Sequence, residues 1–182
     1  MKVLLTGSSK GIGYKIAEDL LAEGHQLALH YNKNKSPLEA LLKKDKTGSF
    51  SIQADLSNKD EIKKMVVNTI DKLSFPDCII NNAGIAESAD ISLDINSWSN
   101  MFDKTIDVNL KAPTLIFKEF LKYKREKKIN SRLRIINIAS RAAFRGEQQD
   151  YISYACSKGG IISLTKTMSR SFGESDNIVA CL

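Results

Sequence analysis

The stretch VLLTGSSKGIG, residues 3–13, decides how this chain folds. Its apolar run, Val3 to Leu5, is short and passes at once into Thr6-Gly7. Gly11 and Gly13 follow, and the apolar spacing becomes helical, with Ile12, Ile16, Ala17, Leu20 and Leu21 on one side. Gly24 stands where the residue just past a helix end favours a left-handed conformation. A strand, a glycine turn and a helix in direct succession open a βαβ unit. The glycines do not follow the GxGxxG spacing of the dinucleotide fingerprint, yet the physical job is similar. They let the backbone turn sharply and approach a pyrophosphate, and the helix start offers unpaired amides and the positive end of its dipole. Gly7, Ser9, Lys10, Gly11, Ile12 and Gly13 are the candidate contacts to such a group. The plainer reading, a mere strand-to-helix loop, leaves three glycines in so short a turn unexplained.

Outward from this unit the alternation continues. Leu27 to Tyr31 reads as a strand, and Ser36-Pro37 as the N-cap and first residue of a helix over Leu38 to Lys44. Phe50 to Ala54 is a third strand. Ser57 or Asn58 then caps a helix with Ile62, Met65, Val66, Ile70 and Leu73 at helical spacing, which Pro76 stops. Cys78 to Ile80 is a strand ending in Asn81-Asn82-Ala83-Gly84. A long helical region runs from about Ile95 to Tyr123, where Pro113 should kink the chain or mark a boundary. Arg134 to Ala139 is the fifth strand, Tyr151 to Phe172 the next helix, and a last strand begins near Asn177. Strands alternating with helices, the strands near-continuously apolar, predict one α/β domain over residues 1–182: a doubly wound, Rossmann-like parallel sheet. Ligands of such sheets bind beyond the carboxyl ends of the strands, where the glycine turn, Asn82-Ala83-Gly84 and Ser140 all fall.

Composition bounds the rest. The 182 residues, 42% hydrophobic and 26% charged, suffice for a real core, and no stretch approaches the ~20 apolar residues of a membrane span. The amino terminus lacks the long apolar region of a secretory signal. Three widely spaced cysteines without a CxxC pair suggest neither a disulfide framework nor a metal site, so a reducing, cytoplasmic setting is expected. The net charge of +6 is spread out except for KYKREKK, residues 122–128, followed by Arg132 and Arg134. That run reads first as a solvated helix end whose cations complement the dipole, and second as a landing patch for an acidic partner or an anionic substrate carrier. Neither a nucleic acid nor a membrane is expected as a partner.

Two further groups carry chemistry. At the end of the second strand, where an acid would grip the ribose hydroxyls of NAD, the chain has His30-Tyr31-Asn32-Lys33. Tyr31 leaves that grip absent, and Lys33 with Lys10 would attract a 2′-phosphate, so NADP is favoured over NAD. Asp55, followed by Leu56, either accepts a hydrogen bond from the adenine amino group or merely caps a turn. Farther on, Tyr154 and Lys158 are spaced i, i+4 and share one helix face. A free tyrosine titrates near pH ~10. An ammonium at ~4 to 5 Å in an effective dielectric of ~20 favours a phenolate by roughly 3 to 4 kcal/mol, which makes such a pair fit for acid-base work. Alone the spacing is weak, since a half-buried tyrosine beside a solvated lysine is common. Ser140, just beyond RIINIAS, stands where a hydroxyl would hold a substrate oxygen.

Taken together, TGSSKGIG, NNAG, Asn109 in DVNL, Ser140, and Tyr154 with Lys158 resemble the short-chain dehydrogenase/reductase family, in order and in register from Leu4 onward. Within it the chain looks most like the branch of 3-oxoacyl-(acyl-carrier-protein) reductases. The resemblance implies an oxidoreductase that moves a hydride between NADP(H) and a ketone or secondary alcohol, a 3-oxoacyl thioester borne on an acyl carrier protein being one candidate substrate. It implies that Tyr154 is the acid-base, Ser140 the holder of the carbonyl oxygen, Lys158 the ribose contact that also tunes the tyrosine, and Asn109 a member of a proton relay through water. Asn82, Ala83 and Gly84 would line the cofactor, and homotetramers would form through the helices near residues 95–123 and 151–172. Family members usually continue past the strand near Asn177 through a substrate loop, a helix and a last strand, so the C-terminal elements are expected to be missing here. The rival reading is a dinucleotide-binding sensor or assembly subunit without turnover.

Overall fold

The computed structural model describes residues 1–182. Six strands form one parallel sheet: β1 (Lys2–Leu5), β2 (Gln26–Tyr31), β3 (Phe50–Gln53), β4 (Cys78–Asn81), β5 (Leu133–Asn137) and β6 (Ile178–Cys181). Their spatial order is β3-β2-β1-β4-β5-β6, so the winding reverses between β1 and β4. The helices are α1 (Gly11–Ala22), α2 (Ser36–Leu42), α3 (Lys59–Leu73), α4 (Ile95–Ile106), α5 (Ala112–Glu126), the short α6 (Ala142–Arg145) and α7 (Ile152–Asp176). None is long and apolar enough to cross a membrane.

Period-2 alternation along the strands feeds two cores. Val3, Leu5, Leu27, Leu29, Cys78 and Ile80 pack with Ala17 of α1 and Leu38 of α2 on one face. Leu4, Ala28, Ile79 and Ile135 pack under α3, α5 and α7 on the other, with Ile62, Met65, Ile116, Phe120 and Met168. The doubly wound sheet is therefore present as expected. The left-handed Gly24 (φ +77°) closes α1, and the Asn58 side chain caps α3 by accepting from the Asp60 and Glu61 amides.

Several local expectations differ. Ile16, Ala17, Leu20 and Leu21 pack on the core as expected, but Ile12 is 66% exposed and Gly13 joins Ala17 on the buried face of α1. Ser36 is not the cap of α2: the Asn34 side chain accepts the Ser36 amide, and Ser36-Pro37 lie inside the helix. Asp94 caps α4 through the Asn96 and Ser97 amides. The long helical region is broken, as Pro113 implied, but by a π-turn over Asp107–Lys111 followed by α5 with Pro113 in its first turn. The helix that holds Tyr154 starts at Ile152 and runs past Phe172 to Asp176.

The basic run also departs from a solvated helix end. Lys124 is 3% exposed; its ammonium donates to the Ser131 carbonyl at 2.7 Å and to the Ile129 carbonyl, folding residues 127–132 back under α5. Arg125 grips Asp176 with two bonds of 2.7 and 2.8 Å. Lys122, Lys127 and Lys128 stay at the surface, Lys122 beside Glu126.

Candidate active site

At the reversal point the glycine turn and the end of β4 are fitted to each other. A Cβ on Gly7 (φ +66°) would stand 2.7 Å from the Ala83 Cα, and one on Gly13 would stand 2.2 Å from the Gly7 oxygen. No larger residue fits either place. Asn82 donates its side-chain amide to the carbonyls of Thr6 and Gly7, both at 3.0 Å, and the Thr6 hydroxyl accepts the amides of Asn82 and Ala83. The NNAG segment thus braces the turn, and its polar side chain is spent on that. Gly11 (φ +56°) faces open space, and Lys10, at the N-cap of α1, makes no side-chain cap. The first amides of α1 are left without a side-chain acceptor and the turn above them is open. A pyrophosphate could accept from those amides, so the residues suit a dinucleotide. Ser9 is half-buried beside them, and Ile12 is exposed at the same mouth.

Along the crevice, Tyr31 is half-buried at the end of β2, and Lys33 is exposed just beyond. Asp55 uses one carboxylate oxygen, Oδ1, to accept the Ser57 amide and hydroxyl at 2.9 and 2.8 Å. These bonds, with lesser help from the charges of Lys104 and Lys33, hold its carboxyl below the usual range. The two readings of Asp55 are compatible, because Oδ2 takes no part in the turn. Leu56 is 5% exposed in the main core, so only its backbone can meet a ligand.

Across the reversal point, β5 ends and Ile138-Ala139-Ser140 follows. The buried Lys158 ammonium donates to the Ile138 carbonyl at 2.7 Å and lies 5.8 Å from the centre of the Tyr154 ring. Burial pushes its pKa below the ordinary lysine value. One protein bond on an ammonium with three donors leaves capacity for a ligand. A Cβ on Gly84 would stand 3.7 Å from the Lys158 nitrogen and 3.4 Å from Asn109 Oδ1, so Gly84 keeps this corner open. Ser140 is half-buried and its hydroxyl oxygen accepts the Ala142 amide at 3.2 Å. Its O–H proton remains free to donate.

Asn109 is 1% exposed and its side chain is fully engaged. Its Oδ1 accepts the Ile85 amide, and its Nδ2 donates to the Ile85 carbonyl and to Ser157 Oγ, which in turn donates to the Tyr154 carbonyl. This ties the Gly84-Ile85 loop to the helix of Tyr154. Ser157, Thr6 and His30 were not singled out by the sequence. Their signal was only a polar residue inside an apolar stretch, which does not name a partner dozens of residues away.

Residues 1–181 match the sequence model of the short chain dehydrogenases. The chain belongs to that family. A 3-oxoacyl-(acyl-carrier-protein) reductase FabG of Staphylococcus epidermidis is 33% identical over 174 residues, which are 94% of this chain and 68% of that protein. The 3-oxoacyl-(acyl-carrier-protein) reductase of Synechocystis is 31% identical over 184 residues, 97% of this chain and 71% of that protein. Among solved structures, a 4-hydroxyisoleucine dehydrogenase complexed with NADH superposes with a TM-score of 0.84 at 31% identity, covering 98% of this chain and 70% of that one. A blue fluorescent protein from a metagenomic library, in complex with NADPH, gives 0.82 at 27% identity, covering 98% and 71%. As a short-chain dehydrogenase the protein is an oxidoreductase that uses a nicotinamide dinucleotide.

Proposed function

We propose that this short-chain dehydrogenase reduces a ketone to a secondary alcohol with NADPH, Tyr154 giving the proton. The observation that carries the reading is the corner itself: a buried ammonium, Lys158, fixed by Ile138 and set over the Tyr154 ring, beside the free hydroxyl proton of Ser140. When bound, the dinucleotide supplies the hydride that forms the new C–H bond. The Ser140 hydroxyl donates to the substrate oxygen and orients the carbonyl. The Tyr154 proton passes to that oxygen as negative charge builds there, so the C=O π pair becomes the O–H bond. Lys158, charged and partly desolvated, stabilises the resulting phenolate and donates to the ribose. Because the Asn109 side chain is engaged, its part in a relay runs through its backbone carbonyl. Pro113, four residues on, has no N–H, so that carbonyl cannot make the i to i+4 bond of an α-helix.

The preference for NADPH rests on the absence of an acid at Tyr31 and on Lys33 and Lys10. A 3-oxoacyl thioester on an acyl carrier protein is the proposed substrate class, supported by the two reductases to which the chain is similar. Free Cys156 and Cys181 at the surface suit a reducing cytoplasm. The half-buried Trp98 and Phe102, stacked at 5.3 Å on α4, together with the exposed Ile95, suit assembly into a homotetramer through α4, α5 and α7. The test is NADPH consumption, followed by absorbance, over a panel of 3-oxoacyl thioesters and simple ketones. Turnover with the thioesters is expected. Folded protein that binds NADPH and turns over none of them would return the reading to a dinucleotide sensor.

A further inference from the structure

His30 is a buried titratable group at the dinucleotide end that the proposed chemistry does not use. It is 2% exposed at the end of β2 and makes contacts on three sides. The Gly7 amide donates to its Nδ1 at 3.0 Å, and its Nε2 lies 3.0 Å from the Ala54 carbonyl. Its own carbonyl accepts both the amide and the hydroxyl of Ser8, at 2.9 and 2.8 Å. A backbone amide can only donate and a carbonyl can only accept. Both ring contacts are therefore satisfied by a single form, the neutral imidazole with its proton on Nε2. Protonation would set two N–H groups against each other at Gly7, and burial pushes the imidazole pKa below its ordinary value, which keeps that form.

The contact with Gly7 adds to two that already place the turn: Asn82 holds the Gly7 carbonyl, and the Ser8 amide and hydroxyl hold the His30 carbonyl. The Gly7 amide has the His30 ring as its acceptor, and Ala83 leaves no room at Gly7 for a side chain that might anchor the turn instead. We infer that His30 is a positioning residue of the dinucleotide site: its Nδ1 holds the Gly7 amide, and so sets the glycine turn relative to β2 and to Ala54, the residue before Asp55. The ring thus joins the pyrophosphate cradle to the adenine side of the crevice, beside the two Ser8 bonds that tie the turn to β2. The inference rests on the dinucleotide reading of that turn.

Two substitutions separate the two ring contacts. In His30→Asn, Oδ1 takes the place of Nδ1 and still accepts the Gly7 amide, while the Ala54 contact is lost. In His30→Gln, the side-chain amide keeps the Ala54 contact and leaves Gly7 unpaired. Titration with NADPH, followed by its fluorescence, is run on both where circular dichroism shows them folded. His30→Gln is expected to bind about tenfold more weakly, one capping bond's worth, and His30→Asn to stay within about threefold of the parent. Adenosine 2′-monophosphate, which has no 5′-phosphate and so reaches the adenine side without the glycine turn, is expected to bind the parent and His30→Gln alike. A general loss of structure would weaken both probes in both variants and would overturn the inference, as would NADPH binding by His30→Gln equal to the parent's. If neither variant folds, nitrogen-15 spectra of the parent decide. A neutral Nε2–H ring whose Nδ1 signal moves on adding NADPH supports the inference, and any other tautomer, or a signal that stays put, ends it. A parent that binds neither NADPH nor NADH overturns the dinucleotide reading itself, an outcome distinct from normal parent binding with unaffected variants.

Discussion

Lys158 and Lys124 flank the two ends of β5 in nearly matching surroundings. They are 5% and 3% exposed, both donate to backbone carbonyls, both have pKa values lowered by burial, and each lies 5.8 Å from the centre of an aromatic ring. The differences are few. Lys124 spends two donors on the Ile129 and Ser131 carbonyls, its ring is Phe75, and the carboxylate of Asp176 opposes its loss of charge. Lys158 spends one donor, its ring belongs to Tyr154, and no acid faces it. A buried ammonium costs several kcal/mol of desolvation wherever it stands, so each must be held for some return. At the amino end of the strand the return is a folded loop. At the carboxyl end it is unspent hydrogen-bonding capacity beside a phenol, in the crevice where ligands of such sheets bind.

Tyr154→Phe gives Lys158 the same kind of ring that covers Lys124. On the proposed mechanism it removes only the proton donor. Folding and NADPH affinity should be unchanged, and the rate should fall on the order of 10² to 10⁴. Retention of more than about a tenth of the parent rate would end the assignment of Tyr154 as the acid.

Replacing each lysine by methionine should affect different properties at the two ends of β5. Lys158→Met should cost on the order of 10² or more in rate, with weaker NADPH binding, since one ammonium serves both ribose and phenolate. Lys124→Met should leave the rate unaltered and lower stability by about 1 to 3 kcal/mol, because two loop carbonyls lose their donor. Melting curves and initial rates on both proteins check this, and a rate loss at Lys124 would remove the distinction.

Next in size is the pair that backs Lys124. The Arg125 guanidinium and the Ser175 hydroxyl hold the Asp176 carboxyl down to about 2 from an ordinary 3.8. A depressed carboxyl contributes stability that is present above its unfolded value, near pH ~4, and is lost as pH falls through the folded value, near ~2. With Arg125 57% exposed at the rim, solvent screening holds the gain to no more than about 2 kcal/mol. Asp176→Asn should therefore melt earlier than the parent at pH 7 and at the same temperature as the parent near pH 2. Equal melting at pH 7 would show that the pair contributes nothing.

How much of this was legible in the sequence follows the same division. The carboxyl end was legible because its chemistry is tied to local spacing: three glycines after a strand, Tyr154 and Lys158 one turn apart, Pro113 at a helix break. The amino end was not. Lys124 sits in a run of cations and reads as solvated, and its burial depends on residues 127–132 folding back, with Lys128 left-handed at φ +51°. His30 escaped for the same reason, since its partners Gly7 and Ala54 are 23 and 24 residues away and no pattern of period 2 or 3.6 reports them. The π-turn at Asp107–Lys111 follows from Pro113 only as a break, because an extra residue in one turn leaves no trace in apolar spacing. Asn109 was found by resemblance, which gave its place but not the use of its side chain.

The smallest expected effect concerns the remaining cations of the crevice. At the amino end Arg125 and Lys122 face acids, whereas Lys10 and Lys33 are exposed at the carboxyl end, and Lys33 is near enough to Asp55 to lower its pKa. No acid occupies the end of β2, where Tyr31 stands half-buried. A 2′-phosphate placed there gains the field of both lysines, while NADH gains no carboxylate for its ribose hydroxyls. A partly screened contact supplies about 1 kcal/mol or somewhat more, so NADPH should bind at least about tenfold more tightly than NADH. The preference should shrink as salt rises, because exposed charges are screened within about 10 Å at 0.1 M. Tyr31→Asp supplies the missing acid and repels the phosphate, and should reverse the order. Lys33→Ala should bring the two affinities together without touching NADH. Titration of the parent that finds NADH bound as tightly as NADPH would remove the free lysines from the binding site and leave them as ordinary surface charges, which is what a second set of solvated cations at this end would look like.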